Sequence, residues 1–317
     1  MNRPLAIGVD LGGTGIKIAL VQNDGRILER RRLQTPTDYN PARIVDEICA
    51  VSDSWINGAL KKRIQGVGIG CAGDIDARRG VVRLSPNLGW RDVPFLKYFQ
   101  KALPKTPLSM DNDANVAAWA AYCVEGQRRV KNLLCITLGT GVGGGIVLNG
   151  QLYRGATGSA GEFGHTTLYP SGTPCACGNR GCLERYVGGR AIVEETLRLL
   201  REKAPSSIPS LVQYDLTRVD AKIIEKAALQ GDAFAQSVWR RAGENLGIAI
   251  ASLINSFNPE RIYLAGGISR AGRLLFDPMT EMIHRRAFPV PAKAAKVALS
   301  KLDQDLGVVG AALSLFP

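Results

Sequence analysis

Apolar residues along this chain form short runs, bounded by glycine, that alternate with longer amphipathic stretches. The first run covers 5–10, a second covers 16–22, and in a third, 26–33, Ile and Leu alternate with polar residues. Short runs of this kind predict β-strands, whereas 41–63 repeats its apolar residues at helical spacing. Strands and helices continue to alternate up to a closing helix at 306–315. The pattern therefore predicts an α/β fold.

One arrangement occurs twice: a strand, a Gly/Thr turn, a strand, an Asx-Gly turn and a strand. The first Gly/Thr turn is Gly12-Gly13-Thr14, and the second is Gly139-Thr140-Gly141. A repeat at such a long interval predicts two related domains. Gly/Thr turns offer free amides and a hydroxyl to phosphate oxygens, so the pair suits a triphosphate held in a cleft. The alternative is two unrelated hairpins whose glycines serve only the turns.

The chain is predicted to divide into two domains. We expect a small N-terminal α/β domain of residues 1–111 plus 301–317, and a large α/β domain of residues 112–300 that contains a metal-binding loop.

A cluster of metal-ligand residues lies within 165–182. His165 is followed by Cys175, Cys177 and Cys182, and a glycine-bearing knuckle separates the last two cysteines. Three thiolates and one imidazole complete a tetrahedron around zinc and leave no open position, so we predict a structural zinc site that pins the loop. The alternatives are a disulfide or a chance cluster, although Cys175 and Cys177 are too close to pair comfortably with each other.

Two carboxylates, Glu162 and Glu184, bracket the metal-ligand residues. The metal needs neither of them, so we expect each to face a substrate. The alternative is that they support the ligands from outside the coordination sphere.

A polar segment, 111–115, ends a predicted strand and opens an alanine-rich helix at 116–124. Its sequence is Asp-Asn-Asp-Ala-Asn. Such side chains can simply cap the helix, but four Asp and Asn residues exceed the need of one cap. The end of a strand in an α/β domain is also where ligands bind.

Composition narrows the classes of partner. The chain has 317 residues and a formal net charge of +12, but no aromatic residues interleave with its basic runs as a base-stacking surface would require. We therefore expect a solvated surface that favours anionic nucleotides, and no nucleic-acid partner. No apolar run reaches the ~18 residues of a membrane span, so no membrane partner is expected.

The cellular location is predicted from the start of the chain and from its cysteines. The opening residues lead directly into a strand and lack the apolar stretch of a signal peptide. Four cysteines lie in apolar segments and resemble reduced core residues: Cys49, Cys71, Cys123 and Cys135. We therefore expect a cytoplasmic protein.

A homo-oligomer, either a dimer or a tetramer, is also expected.

These motifs together resemble the ROK family of repressors, open reading frames and kinases. The elements that carry the resemblance are Gly-Glu-x-Gly-His at 161–165, Cys-x-Cys-Gly-x-x-Gly-Cys-x-Glu at 175–184, Asp-x-Gly-Gly-Thr at 10–14, Asn-Asp-x-Asn at 112–115, and Gly139-Thr140-Gly141. The similarity is greatest to the bacterial ATP-dependent glucokinases of the family. It implies the actin-like, ribonuclease H-like ATPase fold, with two related α/β domains around a cleft that holds sugar and ATP.

The resemblance also implies roles for individual residues. Asp113 corresponds to the catalytic base. The implied sugar-binding residues are Gly73, Asn87, Asn112, Asp113, Glu162, His165 and Glu184, with His165 also a zinc ligand. The implied nucleotide-binding residues, with which we group Lys17, are Asp10, Gly12, Gly13, Thr14, Lys17, Thr137, Gly139, Thr140, Gly141, Gly266 and Gly267. One departure from the family pattern is Cys71-Ala72-Gly73, because many members have a proline before the glycine.

The chemistry agrees with these roles. A sugar hydroxyl is a poor nucleophile at neutral pH, and a carboxylate within hydrogen-bond reach can take its proton during attack. Magnesium and backbone amides then stabilise the transferring phosphoryl group. We assign Asp113 as the base and expect Asp10 to orient hydrated Mg²⁺. The expected cofactors are ATP, Mg²⁺ and a structural Zn²⁺.

The expected reaction converts glucose and ATP to glucose 6-phosphate and ADP. An alternative keeps this chemistry but changes the sugar to mannose, fructose, allose or an N-acetylated hexosamine. A sugar-responsive regulator is the weaker alternative, because the family's repressors carry a helix-turn-helix domain before the first phosphate turn and only nine residues precede Asp10 here. An actin- or chaperone-like ATPase would leave the Glu162, His165 and Glu184 cluster unexplained.

Overall fold

The computed structural model describes residues 3–316 and confirms the α/β prediction. Its strands are β1 (Leu5–Leu11), β2 (Gly15–Gln22), β3 (Ile27–Gln34), β4 (Ile64–Cys71), β5 (Asp74–Asp76), β6 (Val81–Ser85), β7 (Trp90–Val93), β8 (Leu108–Asn112), β9 (Leu133–Leu138), β10 (Val142–Leu148), β11 (Gln151–Leu152), β12 (Arg261–Ala265) and β13 (Lys296–Leu299).

The α-helices of the described residues lie between these strands and after them. They are α1 (Pro41–Ile56), α2 (Phe95–Ala102), α3 (Asp113–Ala120), α4 (Glu184–Val187), α5 (Gly189–Arg201), α6 (Ile208–Leu211), α7 (Ala221–Leu229), α8 (Ala233–Phe257), α9 (Arg273–Arg286), α10 (Pro289–Ala294) and α11 (Leu306–Leu313). None of these helices combines the length and the apolar composition needed to cross a bilayer.

Two five-stranded sheets repeat one strand order. The first is ordered β3-β2-β1-β4-β8 and the second β11-β10-β9-β12-β13. In the first sheet β1 pairs antiparallel with β2 and parallel with β4, and β4 pairs parallel with β8. In each sheet the first three strands of the repeat lie side by side in chain order, as the sequence repeat predicts, and two later strands are added beyond the first of them. A separate antiparallel sheet, β5-β6-β7, follows β4.

The chain divides into two compact units. The first consists of the residues up to Cys135, Gly145–Gly161 and the residues from Ser300 onward, and the second consists of Ile136–Gly144 and Glu162–Leu299.

The predicted domain boundaries place α3 with the larger domain, whereas α3 packs within the first compact unit against α11 and β4. The predicted division, 1–111 plus 301–317 and 112–300, stays a prediction, and its residues 1, 2 and 317 lie outside the described part of the chain.

Helix α11 is packed very closely on the first sheet. A Cβ added to Gly8 on β1 would overlap the carbonyl oxygen of Val308, and one added to Gly68 on β4 would overlap that of Ala311. Glycine at both strand positions lets the helix backbone approach the sheet directly. The core beneath it consists of aliphatic residues of β1, β2 and β4 that are almost fully buried.

Several predicted helices differ from the observed ones at their ends. Helix α1 ends at Ile56 rather than at residue 63, and the next turn is a separate 3₁₀ segment, Lys61–Arg63. Helix α3 begins three residues earlier than predicted, because the Asn112 side chain caps it. The long helix α8 stops before Asn258, which adopts the left-handed conformation with φ 43°.

Candidate active site and metal centre

The carboxyl ends of three parallel strands in the first unit bring several predicted site residues to one edge of the sheet. Asp10 on β1 is opposite Gly70 on β4, and Gly70 is in turn opposite Asp111 on β8. Cys71 is likewise opposite Asn112. This edge is the position at which open α/β sheets bind their ligands.

Asn112 joins the start of α3 to the loop after β4. Its Oδ1 accepts hydrogen bonds from the backbone N–H groups of Ala114 (2.8 Å) and Asn115 (3.1 Å). Its Nδ2 donates to the carbonyl oxygen of Gly73 (2.9 Å). Two residues predicted to bind sugar are therefore bonded to each other, and Asp113, the predicted base, is the first residue of the helix that they anchor.

Gly73 occupies a position that requires glycine. Its φ is 129°, and an added Cβ would overlap the carbonyl oxygen of Leu84 and lie 3.0 Å from Cα of Ser85. The backbone of this loop is thus fixed against β6.

Cys71, which stands in the departure from the family pattern, is completely buried at this edge. Burial raises the pKa of its thiol far above the usual range, and the nearby carboxylates of Asp113 and Asp10 raise the pKa further. The thiol therefore remains neutral and apolar beside the two carboxylates.

The first Gly/Thr turn connects β1 and β2. The Gly12 N–H donates to the carbonyl oxygen of Gly15 (3.0 Å), and the Thr35 hydroxyl donates to the carbonyl oxygen of Gly12 (2.7 Å). A Cβ added to Gly13 would lie 2.9 Å from the carbonyl oxygen of Asn87. The predicted phosphate turn and the predicted sugar contact Asn87 therefore pack against each other.

Asp10 and Lys17 form an ion pair beside this turn. The Lys17 Nζ lies 3.1 Å from Oδ2 of Asp10 and donates to the carbonyl oxygen of Gln304 (3.0 Å). A Cβ added to Gly307 in α11 would lie 2.8 to 3.1 Å from the carboxylate atoms of Asp10. Gly307 thus leaves room for a carboxylate whose orientation Lys17 fixes.

The second unit contains the predicted metal ligands. The ligand atoms of His165, Cys175, Cys177 and Cys182 lie within 4.8 Å of one another. The His165 Nδ1 is 3.7 Å from the Cys175 Sγ, and the Cys177 and Cys182 Sγ atoms are 3.6 Å apart. Sulfur atoms bound tetrahedrally at 2.3 Å from zinc would be about 3.8 Å apart, whereas disulfide sulfurs are separated by ~2.05 Å. This geometry fits a four-coordinate metal ion, and all three cysteines are free thiols.

The thiols of this cluster differ in their surroundings. A hydrogen bond from the backbone of Asn179 lowers the pKa of Cys177, which is exposed. Burial raises the pKa of Cys182 to about 12, and its neighbouring thiols add to that shift. A metal ion that binds all three as thiolates must therefore displace the Cys182 proton.

Glu184 lies against the second Gly/Thr turn of the same unit. Its Oε2 accepts a hydrogen bond from the backbone N–H of Val142 (2.9 Å). The turn is closed by the Gly139 N–H, which donates to the carbonyl oxygen of Gly141 (3.0 Å). A residue predicted to bind sugar thus contacts the turn predicted to bind phosphate. Thr137 lies on β9, just before this turn.

The paired glycines that follow β12 lie beside the end of β9. Gly266 has φ 96°, and an added Cβ would overlap the carbonyl oxygen of Leu138. A Cβ added to Gly267 would meet no atom within 4 Å. Gly266 is therefore packed directly against the end of β9, whereas Gly267 leaves open space beside its backbone. Their place near the nucleotide stays a prediction.

Two residues at the first-unit edge were not assigned roles from the sequence. Asp111 is almost fully buried, and its Oδ2 accepts a hydrogen bond from Nε of Arg154 (2.7 Å). Its Oδ1 accepts from the Asn112 N–H (2.8 Å) and from Nδ2 of Asn115 (2.9 Å). In the sequence, Asp111 stands out as a charged residue at the end of a predicted strand. No neighbouring residue indicates that Arg154, 43 positions later, is its partner.

The comparison with protein families decides the classification. The family model described as "ROK family" matches residues 6–316. This chain belongs to the ROK family.

Relatives within the ROK family are similar over nearly the whole chain. A protein named Glucokinase from Halalkalibacterium halodurans is 39% identical over 308 residues, which cover 96% of this chain and 92% of the relative. A crystal structure of a ROK family glucokinase from Streptomyces griseus in complex with glucose and AMPPNP has a TM-score of 0.81 and 36% identity, and covers 97% of this chain and 98% of that one. A ROK hexokinase from Thermus thermophilus has a TM-score of 0.81 at 30% identity, and covers 98% of this chain and 97% of that one.

The ROK assignment and the two sheets of equal strand order confirm the actin-like, ribonuclease H-like ATPase fold that the sequence motifs imply.

Proposed function

We propose that this protein is an ATP-dependent glucokinase that transfers the γ-phosphoryl group of ATP to the 6-hydroxyl of glucose. The observation that carries the proposal is the linkage of Asn112 to Gly73 at the start of α3, which positions Asp113 at the carboxyl edge of the first sheet. Membership of the ROK family, and the Streptomyces griseus relative described in complex with glucose and AMPPNP, support the same activity.

In this proposal Asp113 is the general base. A carboxylate can accept the proton of the sugar hydroxyl as that hydroxyl attacks phosphorus. Its position at the first turn of α3 is set by the Asn112 cap, and its own Oδ1 accepts the Ala114 N–H (2.9 Å). Because one oxygen is held by the backbone, the carboxylate has a defined direction from which to approach the hydroxyl.

The nucleotide phosphates would be bound by the Gly/Thr turns. Gly12, Gly13 and Thr14 in the first unit, and Gly139, Thr140 and Gly141 in the second, supply backbone amides and hydroxyls that match phosphate oxygens. Asp10 is the proposed ligand of hydrated Mg²⁺, which would neutralise charge on the phosphates. Its carboxylate suits that ion, because Mg²⁺ prefers oxygen ligands, and Lys17 holds it in one orientation.

His165, Cys175, Cys177 and Cys182 would hold a structural zinc ion. The ion would fix the loop 165–182 and would take no part in bond making. Because Nδ1 of His165 faces Cys175 and would bind the ion, the other ring nitrogen, Nε2, would carry the proton and could donate a hydrogen bond to a sugar hydroxyl oxygen. Glu162 and Glu184 are proposed as further ligands of sugar hydroxyls.

We propose a cytoplasmic, homo-oligomeric enzyme of carbohydrate metabolism that binds neither nucleic acid nor membrane. A ROK kinase for another hexose remains the alternative within the same chemistry.

The test is a coupled assay that measures ADP release with a panel of hexoses and N-acetylhexosamines. Glucose should give the highest kcat/KM, and product analysis should place the phosphate on the 6-hydroxyl. A higher kcat/KM for another sugar would mean that this sugar, and not glucose, is the preferred substrate. The absence of sugar-dependent ADP release with every hexose would refute the kinase assignment, and a gel shift with genomic DNA would then test the regulator.

A further inference from the structure

The carboxylate of Glu184 contacts the second Gly/Thr turn at two points. Its Oε2 accepts the Val142 N–H at 2.9 Å. A Cβ added to Gly141 would overlap Oε2 and lie 3.0 Å from Cδ of the same side chain. The turn therefore has a glycine where the carboxylate passes, and a backbone donor where the carboxylate ends.

The backbone that follows Glu184 is bonded to the same turn. The Gly189 N–H donates to the carbonyl oxygen of Gly139 (2.9 Å), and the Arg190 N–H donates to that of Thr140 (3.2 Å). Together with the bond to Val142, three hydrogen bonds from the segment 184–190 hold the turn between β9 and β10. Two of them are backbone bonds that any residue can make, so the side-chain bond is the one that depends on Glu184.

The segment 184–190 continues directly from the metal cluster. The Arg185 N–H donates to the carbonyl oxygen of Cys182 (2.9 Å), and the Leu183 N–H donates to that of Thr166 (2.9 Å). The metal loop, α4 and the phosphate turn are thus one hydrogen-bonded structure within the second unit. Glu184 is the side chain through which this structure reaches the turn.

We propose that Glu184 is a positioning residue for the nucleotide in addition to its proposed role as a sugar ligand. One carboxylate oxygen holds the Gly139–Gly141 turn while the other remains to accept a sugar hydroxyl, because a carboxylate has about four acceptor positions on two oxygens. Sugar binding at one oxygen restricts the rotation of the whole carboxylate and hence orders the turn. This inference rests on the proposed kinase function.

Coupling through one side chain must be reciprocal. If sugar binding tightens nucleotide binding, nucleotide binding tightens sugar binding by the same factor. Removal of Glu184 also removes the hydrogen bond to Val142 that holds the turn, so it should weaken nucleotide affinity even when no sugar is present. A residue that contacted only sugar would not have this effect.

The first experiment measures AMPPNP binding with Mg²⁺ and without sugar, by calorimetry. Glu184→Ala should raise the Kd by about fivefold or more, within the range of ordinary coupling factors. Glu184→Gln should keep the nucleotide Kd within about twofold, because its amide oxygen can still accept from Val142, while the KM for glucose rises. Glu162→Gln is the matched control for a sugar ligand outside the turn, and should leave the nucleotide Kd unchanged.

The second experiment changes the Gly139–Gly141 turn instead of Glu184. Gly141→Ala should displace the Glu184 carboxylate and raise the Kd for glucose, measured without nucleotide, by about fivefold. Gly139→Ala is the matched control within the same turn, because its Cβ meets no atom within 4 Å. It should leave the Kd for glucose within about twofold of the wild-type value.

Three results would overturn the proposal. They are a folded Glu184→Ala protein with wild-type affinity for AMPPNP, a Glu184→Gln protein that loses nucleotide affinity as fully as the alanine variant, and a Gly141→Ala protein with unchanged affinity for glucose. Melting temperatures establish that each variant is folded. Failure of the proposed function appears separately, as wild-type protein that binds AMPPNP but does not phosphorylate glucose.

Discussion

The Nε atom of Arg154 lies 2.7 Å from Oδ2 of the buried Asp111 carboxylate. The other oxygen of that carboxylate accepts hydrogen bonds from the Asn112 N–H and from Asn115. The ion pair therefore fixes the Asp111 carboxylate, which in turn holds Asn112 and Asn115 at the start of α3. Asp113 lies between these two residues. Arg154 has no proposed contact with a ligand, so its contribution to turnover would act through Asp113.

Arg154→Ala should destabilise the protein and slow the reaction. The loss of a charged partner from a buried carboxylate lowers the free energy of unfolding by about 1–3 kcal/mol. The loss is moderated here because water can reach the half-exposed Arg154 side chain. A shift of ~1 Å at a catalytic group can cost on the order of 100-fold in rate, so kcat should fall between about tenfold and a hundredfold. Thermal unfolding and steady-state kinetics measure the two effects.

The control for Arg154 is Arg91→Ala, which removes an exposed arginine of β7. It should change neither the melting temperature nor kcat appreciably. The melting temperature and kcat of Arg154→Lys should lie between those of the alanine variant and wild type, because lysine keeps the charge but not the guanidinium geometry. Wild-type turnover in Arg154→Ala would show that Asp113 does not depend on this ion pair.

Asp113→Asn should abolish most of the turnover while the sugar still binds. The amide keeps the shape of the side chain and can still accept the Ala114 N–H, but it cannot take the hydroxyl proton. The kcat should fall by about a hundredfold or more, with little change in glucose affinity. Retention of more than about a tenth of wild-type turnover would mean that another group is the base.

Cys177→Ala should release the metal ion and weaken sugar binding. Removal of one of four ligands opens a closed site, and the loop that carries His165 then loses its anchor. Elemental analysis should find about one zinc per wild-type chain, and substantially less in the variant, together with a lower melting temperature and a higher KM for glucose.

Cys49→Ala is the matched control for the metal site, because Cys49 lies on α1, outside the cluster. It should retain the zinc and the wild-type KM. Normal kinetics in metal-free wild-type protein would show that sugar binding does not depend on the metal, and would contradict the proposed role of the loop.

Gly73→Ala should disturb the loop that Asn112 holds. The added Cβ meets the Leu84 carbonyl and the backbone is at φ 129°, so the variant combines a steric clash with backbone strain of about 1–3 kcal/mol. Both unfolding free energy and glucose affinity should decrease. Gly231→Ala is the control, because Gly231 has φ 91° but open space around it. Equal losses of stability in the two variants would show that the clash at Gly73 contributes nothing.

Features encoded in neighbouring residues could be predicted from the sequence. The two Gly/Thr turns and the metal cluster are each formed by residues close together in the sequence, and the sequence pattern identified them. The Asn112 cap is equally local, but the sequence pattern placed the start of α3 three residues too late. The stop of α8 at Asn258 is equally local, because a residue in the left-handed conformation ends the helix.

Features that depend on distant residues could not be predicted. Arg154 is 43 positions from Asp111, and Glu184 is 42 positions from Val142. Each pair forms only when separate elements are packed, and neither spacing has a helical or strand period. Lys17 was grouped with the nucleotide ligands from the sequence, but its pairing with Asp10 is visible only in the register of β1 and β2.

The close packing of α11 on β1 and β4 has a consequence for biosynthesis. The ribosome makes the second compact unit in full before Leu306–Leu313, although the first unit begins the chain. Until those residues emerge, the faces of β1 and β4 around Gly8 and Gly68 lack their covering helix. Exposed apolar surface of this kind attracts chaperones and promotes aggregation. The first unit can therefore complete its packing only after the whole second unit has been synthesised, and its uncovered strand faces need protection until then.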